Sequence, residues 1–135
     1  MKRKLRLQLL DGEFAVCKLK NLRDAAWAGP FVSLTVTDEE ISLVCPAERA
    51  PRDCPASETG WRCIKVAGPL DFSLVGILAE LSAALAEKRI SIFAVSTYNT
   101  DYLLVKAGRA GGAVAALKER GCEFAGDPVR RGVPG

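Results

Sequence analysis

Apolar residues recur at two different spacings along this chain, and the change from one to the other marks its elements. Over residues 73–88, SLVGILAELSAALAEK, the side chains Leu74, Ile77, Leu78, Leu81 and Leu85 follow at intervals of three and four. That spacing lays one apolar stripe along a helix. Asp71 or Ser73 suits its N-cap, and Lys88 and Arg89 suit its negative C-terminal end. Before it, WRCIKVA (61–67) reads as a strand that Gly68 and Pro69 terminate. After it, the β-branched run ISIFAVST (90–97) predicts a strand, Tyr98, Asn99 and Thr100 a polar turn, and DYLLVKA (101–107) the returning strand. A glycine-rich loop over 108–112 leads to a second helix at 113–120, which Gly121 is placed to end, and 122–125 supplies one more strand.

In order this is strand, helix, strand, strand, helix, strand, the ferredoxin-like βαββαβ pattern. The first sixty residues are strand-rich and their helices are short or missing. Segments 5–10 and 13–19 flank Asp11-Gly12, a hairpin or bulge signal. A helical turn fits 25–28, and FVSLTVT (31–37) with EISLVC (40–45) predicts a second hairpin through Asp38-Glu39. The stretch 46–60 holds three prolines and many polar residues, and is the expected boundary. The division is therefore 1–60, 61–127 and a flexible tail at 128–135. The fold class is α+β, with two related halves of which the first is degenerate.

Composition changes this picture mainly by exclusion. The chain has 135 residues, 49% hydrophobic and 26% charged, an ordinary globular balance. No apolar run reaches the roughly 18 residues needed to span a bilayer. The basic start, MKRKLRLQLLDGE, lacks an uninterrupted apolar region and a cleavage site, so a cytoplasmic protein is expected. There is no histidine, which excludes Ser-His and Cys-His nucleophile pairs and histidine metal sites. The five cysteines, at 17, 45, 54, 63 and 122, have neither CxxC spacing nor the look of a disulfide framework. They read as free thiols, with Cys17 and Cys63 in the core and Cys54, in APRDCPASE, as the one whose setting suits reactivity. The net charge of +3 is spread thinly, and its two basic clusters lie at the termini, so neither nucleic acid nor membrane is an expected partner. No cofactor and no metal site is expected.

The stretches GPLDFSLVGILAEL (68–81) and ISIFAVSTYNTDYLLV (90–105) resemble ACT domains of the tandem type found in small bacterial proteins. They are also similar to those of the CASTOR arginine sensors and, more distantly, of aspartate kinases. DGEFAVCKL and FVSLTVTDEEISLVCP fit the leading domain of the bacterial proteins, so the resemblance covers roughly residues 5–126. It implies two ferredoxin-like ACT domains in tandem and an amino-acid ligand where such domains meet. The binding elements it implies lie within 69–76, including Asp71, Phe72, Ser73, Leu74 and Val75, and within 96–101, including Ser96, Thr97, Tyr98, Asn99 and Asp101. It further implies a free-standing regulatory or sensor protein, a homodimer or the partner of an enzyme, and not itself an enzyme.

The chemistry of those residues suits a free amino acid. Helix-start N–H groups around Ser73 to Val75 offer a carboxylate the positive end of a helix dipole. Asp101 offers the ammonium a charge-assisted hydrogen bond, Ser96, Thr97 and Asn99 add polar contacts, and Asp71 suits a basic side chain. The strand order expected of a βαββαβ unit puts two strand spacings, about 10 Å, between the first loop and the end of the second strand. The second strand is also an open edge, so the site joins one unit to the edge of a neighbouring domain or chain. The same residues also have plain structural readings. Asp71 serves as a helix cap, Asp101 with Asn99 and Thr100 as turn residues, and Ser96 and Thr97 as a strand end. Two other functions compete with the sensor: an interaction module that keeps the fold without a ligand, and an enzyme using the Cys54 thiol or the Asp71 and Asp101 carboxylates.

Overall fold

The computed structural model describes residues 5–25, 27–67 and 75–126. Eight strands and two α-helices are set out along them: β1 (Arg6–Leu9), β2 (Phe14–Leu19), β3 (Ser33–Val36), β4 (Ile41–Pro46), β5 (Ala56–Val66), α1 (Ile77–Glu87), β6 (Phe93–Ser96), β7 (Asp101–Lys106), α2 (Ala110–Glu119) and β8 (Glu123–Phe124). Short 3-10 turns occupy Leu22–Asp24, Ala47–Arg49 and Ala107–Arg109. The fold is mixed α+β. Its residues group into two units, one of Asp11–Trp61, the other of the residues up to Leu10 together with those from Arg62 on.

In the unit that contains both helices the strand order is β6-β7-β5-β1-β8. β6 and β7 are an antiparallel hairpin that pairs Phe93 with Leu104 and Ser96 with Asp101. Leu5, Leu7, Leu9, Ile64, Val66, Leu103 and Val105 point to one face of these strands, where Ile77, Leu81 and Leu85 of α1 and Val114 and Leu117 of α2 close the core. Each such leucine, fully buried, contributes about 2 kcal/mol of transfer free energy. The three-and-four spacing of α1 is therefore the reason it lies where it does.

Two elements of this unit differ from the sequence reading. The hairpin expected of residues 5–10 with 13–19 does not form. Instead β1 runs antiparallel to β5, Leu7 opposite Val66, and parallel to β8, Leu7 opposite Phe124. The residues expected to open the N-terminal half thus fill a place between the first and last strands of the other unit. The glycine-rich stretch 108–112, expected as a loop, is a 3-10 turn followed by the start of α2, with Gly111 buried inside the helix. Two glycines in the first turn of this helix cost up to roughly 1 kcal/mol each relative to alanine. Burial of Ala110, Ala113, Val114 and Leu117 along the same helix outweighs that cost.

The helix ends are also shifted. α1 begins at Ile77, not at residue 73, because its N-cap Gly76 is left-handed at φ +81 and the helical ladder cannot run through it. At the other end Arg89 adopts φ +57 and the Ile90 N–H donates to the Leu85 carbonyl at 3.0 Å, so Ile90 closes the helix and enters the core instead of starting a strand. The strand expected at 90–97 is therefore confined to Phe93–Ser96. The Arg109 guanidinium donates to the carbonyls of Lys88 at 3.0 Å and Arg89 at 3.4 Å, taking acceptors that the end of α1 leaves over. Glu87 pairs with Arg120, and Lys88 with Glu119 at 3.5 Å, exposed links between the two helix ends that are worth at most about 1 kcal/mol each.

The Asp11–Trp61 unit has the strand order β3-β4-β2-β5, all neighbours antiparallel. The helical turn expected at 25–28 is the single 3-10 turn Leu22–Asp24, and a second such turn, Ala47–Arg49, follows β4. Its core is small: Ala15, Cys17, Leu19, Ala25, Leu43 and Cys45, with Phe14 and Phe31 edge-to-face at 6.2 Å. The segment 46–60 is not a boundary loop throughout, because β5 starts at Ala56. The ladder passes from Phe14 opposite Trp61 to Val16 opposite Glu58, leaving β5 an extra residue, and Gly60 at φ +78 lies in that bulge. One strand can then run from Ala56 to Val66 without a break.

Candidate functional site

Of the ten residues singled out by sequence, six lie among the described residues and five of these gather at the β6–β7 corner. Asp71, Phe72, Ser73 and Leu74 lie outside the described residues. Val75 is 77% exposed and stands one residue ahead of Gly76, the N-cap of α1.

At the corner the register of the hairpin places Ser96 directly opposite Asp101, and the Ser96 hydroxyl donates to Asp101 Oδ1 at 2.6 Å. A hydrogen bond that short to a charged acceptor fixes the carboxylate's direction. Alternation along β7 puts Asp101 on the same face as Leu103 and Val105, which is the face the helices cover. Thr97 is occupied by the turn: its N–H donates to the Thr100 carbonyl at 2.8 Å, its hydroxyl to the same oxygen at 3.0 Å, and it accepts from the Thr100 N–H at 3.3 Å. Tyr98, at the tip, is 82% exposed and Asn99 is exposed beside it.

Thr100 is the residue the sequence reading treated only as part of a turn. It is the polar side chain buried to 5%, and its hydroxyl donates to the Val66 carbonyl at 2.7 Å. Val66 is the last residue of β5, where the chain leaves toward α1. That bond adds to the pairing of β7 with β5 in tying the turn that carries Ser96 and Asp101 to the exit of the neighbouring strand. The signal was present in the alternation, since Thr100 has the same parity as the buried Leu104. Thr100→Val keeps the shape and removes the donor, leaving the Val66 carbonyl buried without it. The expected loss is about 1–2 kcal/mol, read as a lowered urea midpoint. A change under a few tenths would show that the bond does not hold the corner.

The other polar and reactive groups are placed differently. Four thiols, Cys17, Cys45, Cys63 and Cys122, are buried and Cys54 is half-buried. Burial pushes the thiols of Cys17 and Cys63 up to about 12, and those of Cys45 and Cys122 upward. Among the described residues no group of three His, Cys, Asp or Glu side chains is arranged to hold a metal ion. A shallow groove lined by Val16, Lys18, Glu40, Ser42 and Glu58 crosses the outer sheet face of the Asp11–Trp61 unit, but it is too open to enclose a small molecule. No helix among the described residues is long and apolar enough to cross a membrane.

Comparison with known proteins adds to this geometry. Residues 56–119, from the start of β5 to the end of α2, match the ACT domain, and residues 12–53 match a separate family of N-terminal domains. The Bos taurus cytosolic arginine sensor for mTORC1 subunit 1 is 32% identical over 111 residues, which are 73% of this chain and 34% of that protein. The chain thus spans about a third of the length of the curated relatives it matches. A solved structure from Agrobacterium tumefaciens is 32% identical, with a TM-score of 0.81 over 90% of this chain and 92% of that one. The aspartate kinase of Clostridium acetobutylicum is similar in fold alone, with a TM-score of 0.59, 12% identity, and coverage of 85% of this chain and 33% of the kinase.

Proposed function

Since this chain belongs to the ACT-domain family, we propose that it is an amino-acid-binding regulatory protein and not an enzyme, built from two ACT domains in tandem. The strand orders support the tandem reading. In the Asp11–Trp61 unit the first strand β2 lies between the third, β4, and the fourth, β5, with the second, β3, at the edge. That is the order of a βαββαβ unit whose helices have shrunk to the turns Leu22–Asp24 and Ala47–Arg49. The helix-containing unit repeats it with β1 inserted between its first strand, β5, and its last, β8.

The observation that carries the ligand reading is the Ser96–Asp101 pair, a carboxylate aimed by a 2.6 Å hydrogen bond and held by Thr100 against the end of β5. In this proposal Asp101 receives the ligand's ammonium or a basic side chain. Residues 71–75 are the ones the family resemblance assigns to the ligand's carboxylate. Edge strand β6, which among the described residues pairs with β7 alone, takes a second copy of the chain that closes the site. A ligand bound there favours one assembly over the other and so regulates it, or a partner enzyme attached to it.

Thermal unfolding and calorimetry with each of the twenty amino acids test this, with arginine first because the bovine relative is an arginine sensor. A ligand at a hundred times its dissociation constant raises stability by about 2.7 kcal/mol. Asp101→Asn, which keeps a partner for Ser96 but removes the charge, is expected to weaken binding about 10-fold or more, since hydrogen bonds to a charged group are worth about 1.5–3 kcal/mol. If no amino acid moves the melting temperature, the second reading takes its place: a ligand-free interaction module. The exposure of Tyr98 beside the open edge of β6 favours that alternative.

A further inference from the structure

Three of the five cysteines, far apart in sequence and spaced without any recognisable motif, meet in one place. Cys17 comes from the middle of β2, Cys45 from β4, and Cys54 from the non-regular segment between Ala50 and Ala56. Cys17 and Cys45 are core members at 1% and 0% exposure, and Cys54 packs against that core from the side open to solvent. The Cys17 thiol is in hydrogen-bonding contact with both of the others.

We propose that Cys54 and Cys17 form a reversible disulfide when the protein meets a peroxide, which turns the 50–55 segment into a redox-sensitive clasp on β2.

The register excludes one pair, Cys17 with Cys45, and the contact of Cys54 with Cys17 selects the other. Leu43 stands opposite Cys17 and Cys45 opposite Ala15, so Cys17 and Cys45 are diagonal neighbours on paired strands. Diagonal Cα atoms lie about 7–8 Å apart. A disulfide needs roughly 4.4–6.8 Å, so joining these two would require the strands to slip. Cys54 is on no strand, and its segment can approach Cys17 without breaking a ladder. Exposure sets the order of events. Burial, reinforced by the neighbouring sulfurs, pushes the Cys17 thiol up to about 12, so Cys17 stays protonated at neutral pH and does not react first. Cys54, the one member open to solvent, meets the oxidant.

In the first step the Cys54 sulfur attacks hydrogen peroxide. An S–O bond forms, the O–O bond breaks, and hydroxide leaves and takes up the thiol's proton as water. In the second step the Cys17 sulfur attacks the resulting sulfenic acid. The S–S bond forms, the S–O bond breaks, and the Cys17 proton departs with the hydroxyl as a second water. Two thiols lose two electrons, and the peroxide is reduced to two waters. A thiol held beside the sulfenic acid also keeps Cys54 from passing to the irreversible sulfinic state.

The test is made on the full chain, reduced, then treated with a small excess of hydrogen peroxide, denatured and alkylated. The untreated protein takes up five alkyl groups and the oxidised protein three. Peptide mapping is expected to find the segment containing Cys17 joined to that containing Cys54, with full reversal by dithiothreitol. Cys54→Ser, at a half-buried loop position that leaves the fold intact, is expected to abolish the link. Cys45→Ala and Cys122→Ala are expected to leave it. Sulfinic acid accumulating at Cys54, chains cross-linked to one another through Cys54, a link from Cys54 to Cys45, or five thiols still alkylated after treatment would each overturn the proposal.

Discussion

Leu7→Ala is expected to lower the stability of the helix-containing unit by about 3–5 kcal/mol, the range for emptying a fully buried leucine site. Leu7 is 0% exposed, stands opposite Val66 on one side and Phe124 on the other, and shares its cluster with Ile64, Leu81 and Leu117. β1 itself is paired on both sides, which holds its backbone in place around the emptied site. Gln8→Ala, the next residue on the same strand and exposed, is expected to change stability by no more than about 0.5 kcal/mol. Urea unfolding followed by helix signal, which arises from α1 and α2, reads the unit in question. A loss below about 1 kcal/mol for Leu7→Ala, or equal losses for the two variants, would mean that β1 is not part of that core. The consequence is practical: a fragment starting near residue 61, which looks like a complete βαββαβ unit, would lack the strand that β8 pairs with.

This same strand shows where local reading stops. Leu5, Leu7 and Leu9 alternate with polar residues, so a half-buried strand is legible from six residues. Its partners are not, because β5 and β8 lie some fifty and more than a hundred positions away and nothing local encodes that register. The Asp11-Gly12 signal pointed to a hairpin that the long-range pairing overrides. Where both partners are close in sequence the reading succeeds. The β6–β7 hairpin, the stripe on α1 and the stop at Gly121, which has φ +94, all follow from neighbours a few residues apart. The glycine-rich stretch failed for the opposite reason: its helical state is imposed by packing of small side chains, which propensity counts as a cost.

The candidate site divides along the same line. That Ser96 and Asp101 face each other follows from a two-stranded turn of four residues, and the structure places them in hydrogen-bonding contact. The anchoring role of Thr100 depends on a carbonyl 34 positions earlier, and so needed the fold. Likewise Cys17, Cys45 and Cys54 carry no motif, and only the β2–β4 register and the return of the chain after Ala50 bring them together.

The buried thiols are expected to make the fold lose stability in alkali. Cys63, 0% exposed in β5, has its thiol pushed from the usual value near 9 to about 12 by burial. Below about pH 9 both the folded and the unfolded chain keep that proton, and stability is unaffected. Between about 9 and 12 the unfolded chain releases it while the folded chain retains it, so the folded state binds more protons and stability falls as pH rises. The slope from this one group is about 1.4 kcal/mol per pH unit. Cys17, raised to about 12 in the same way, steepens it further. Urea unfolding at pH 7.5, 9, 10 and 11 is therefore expected to give a flat stage followed by a decline. Cys63→Ala is expected to start lower, because a cavity is opened, yet to decline less steeply by about that same amount per unit. Parallel declines in the two proteins would show that the Cys63 thiol ionises as readily in the folded chain as in the unfolded one, and that other groups set the alkaline limit.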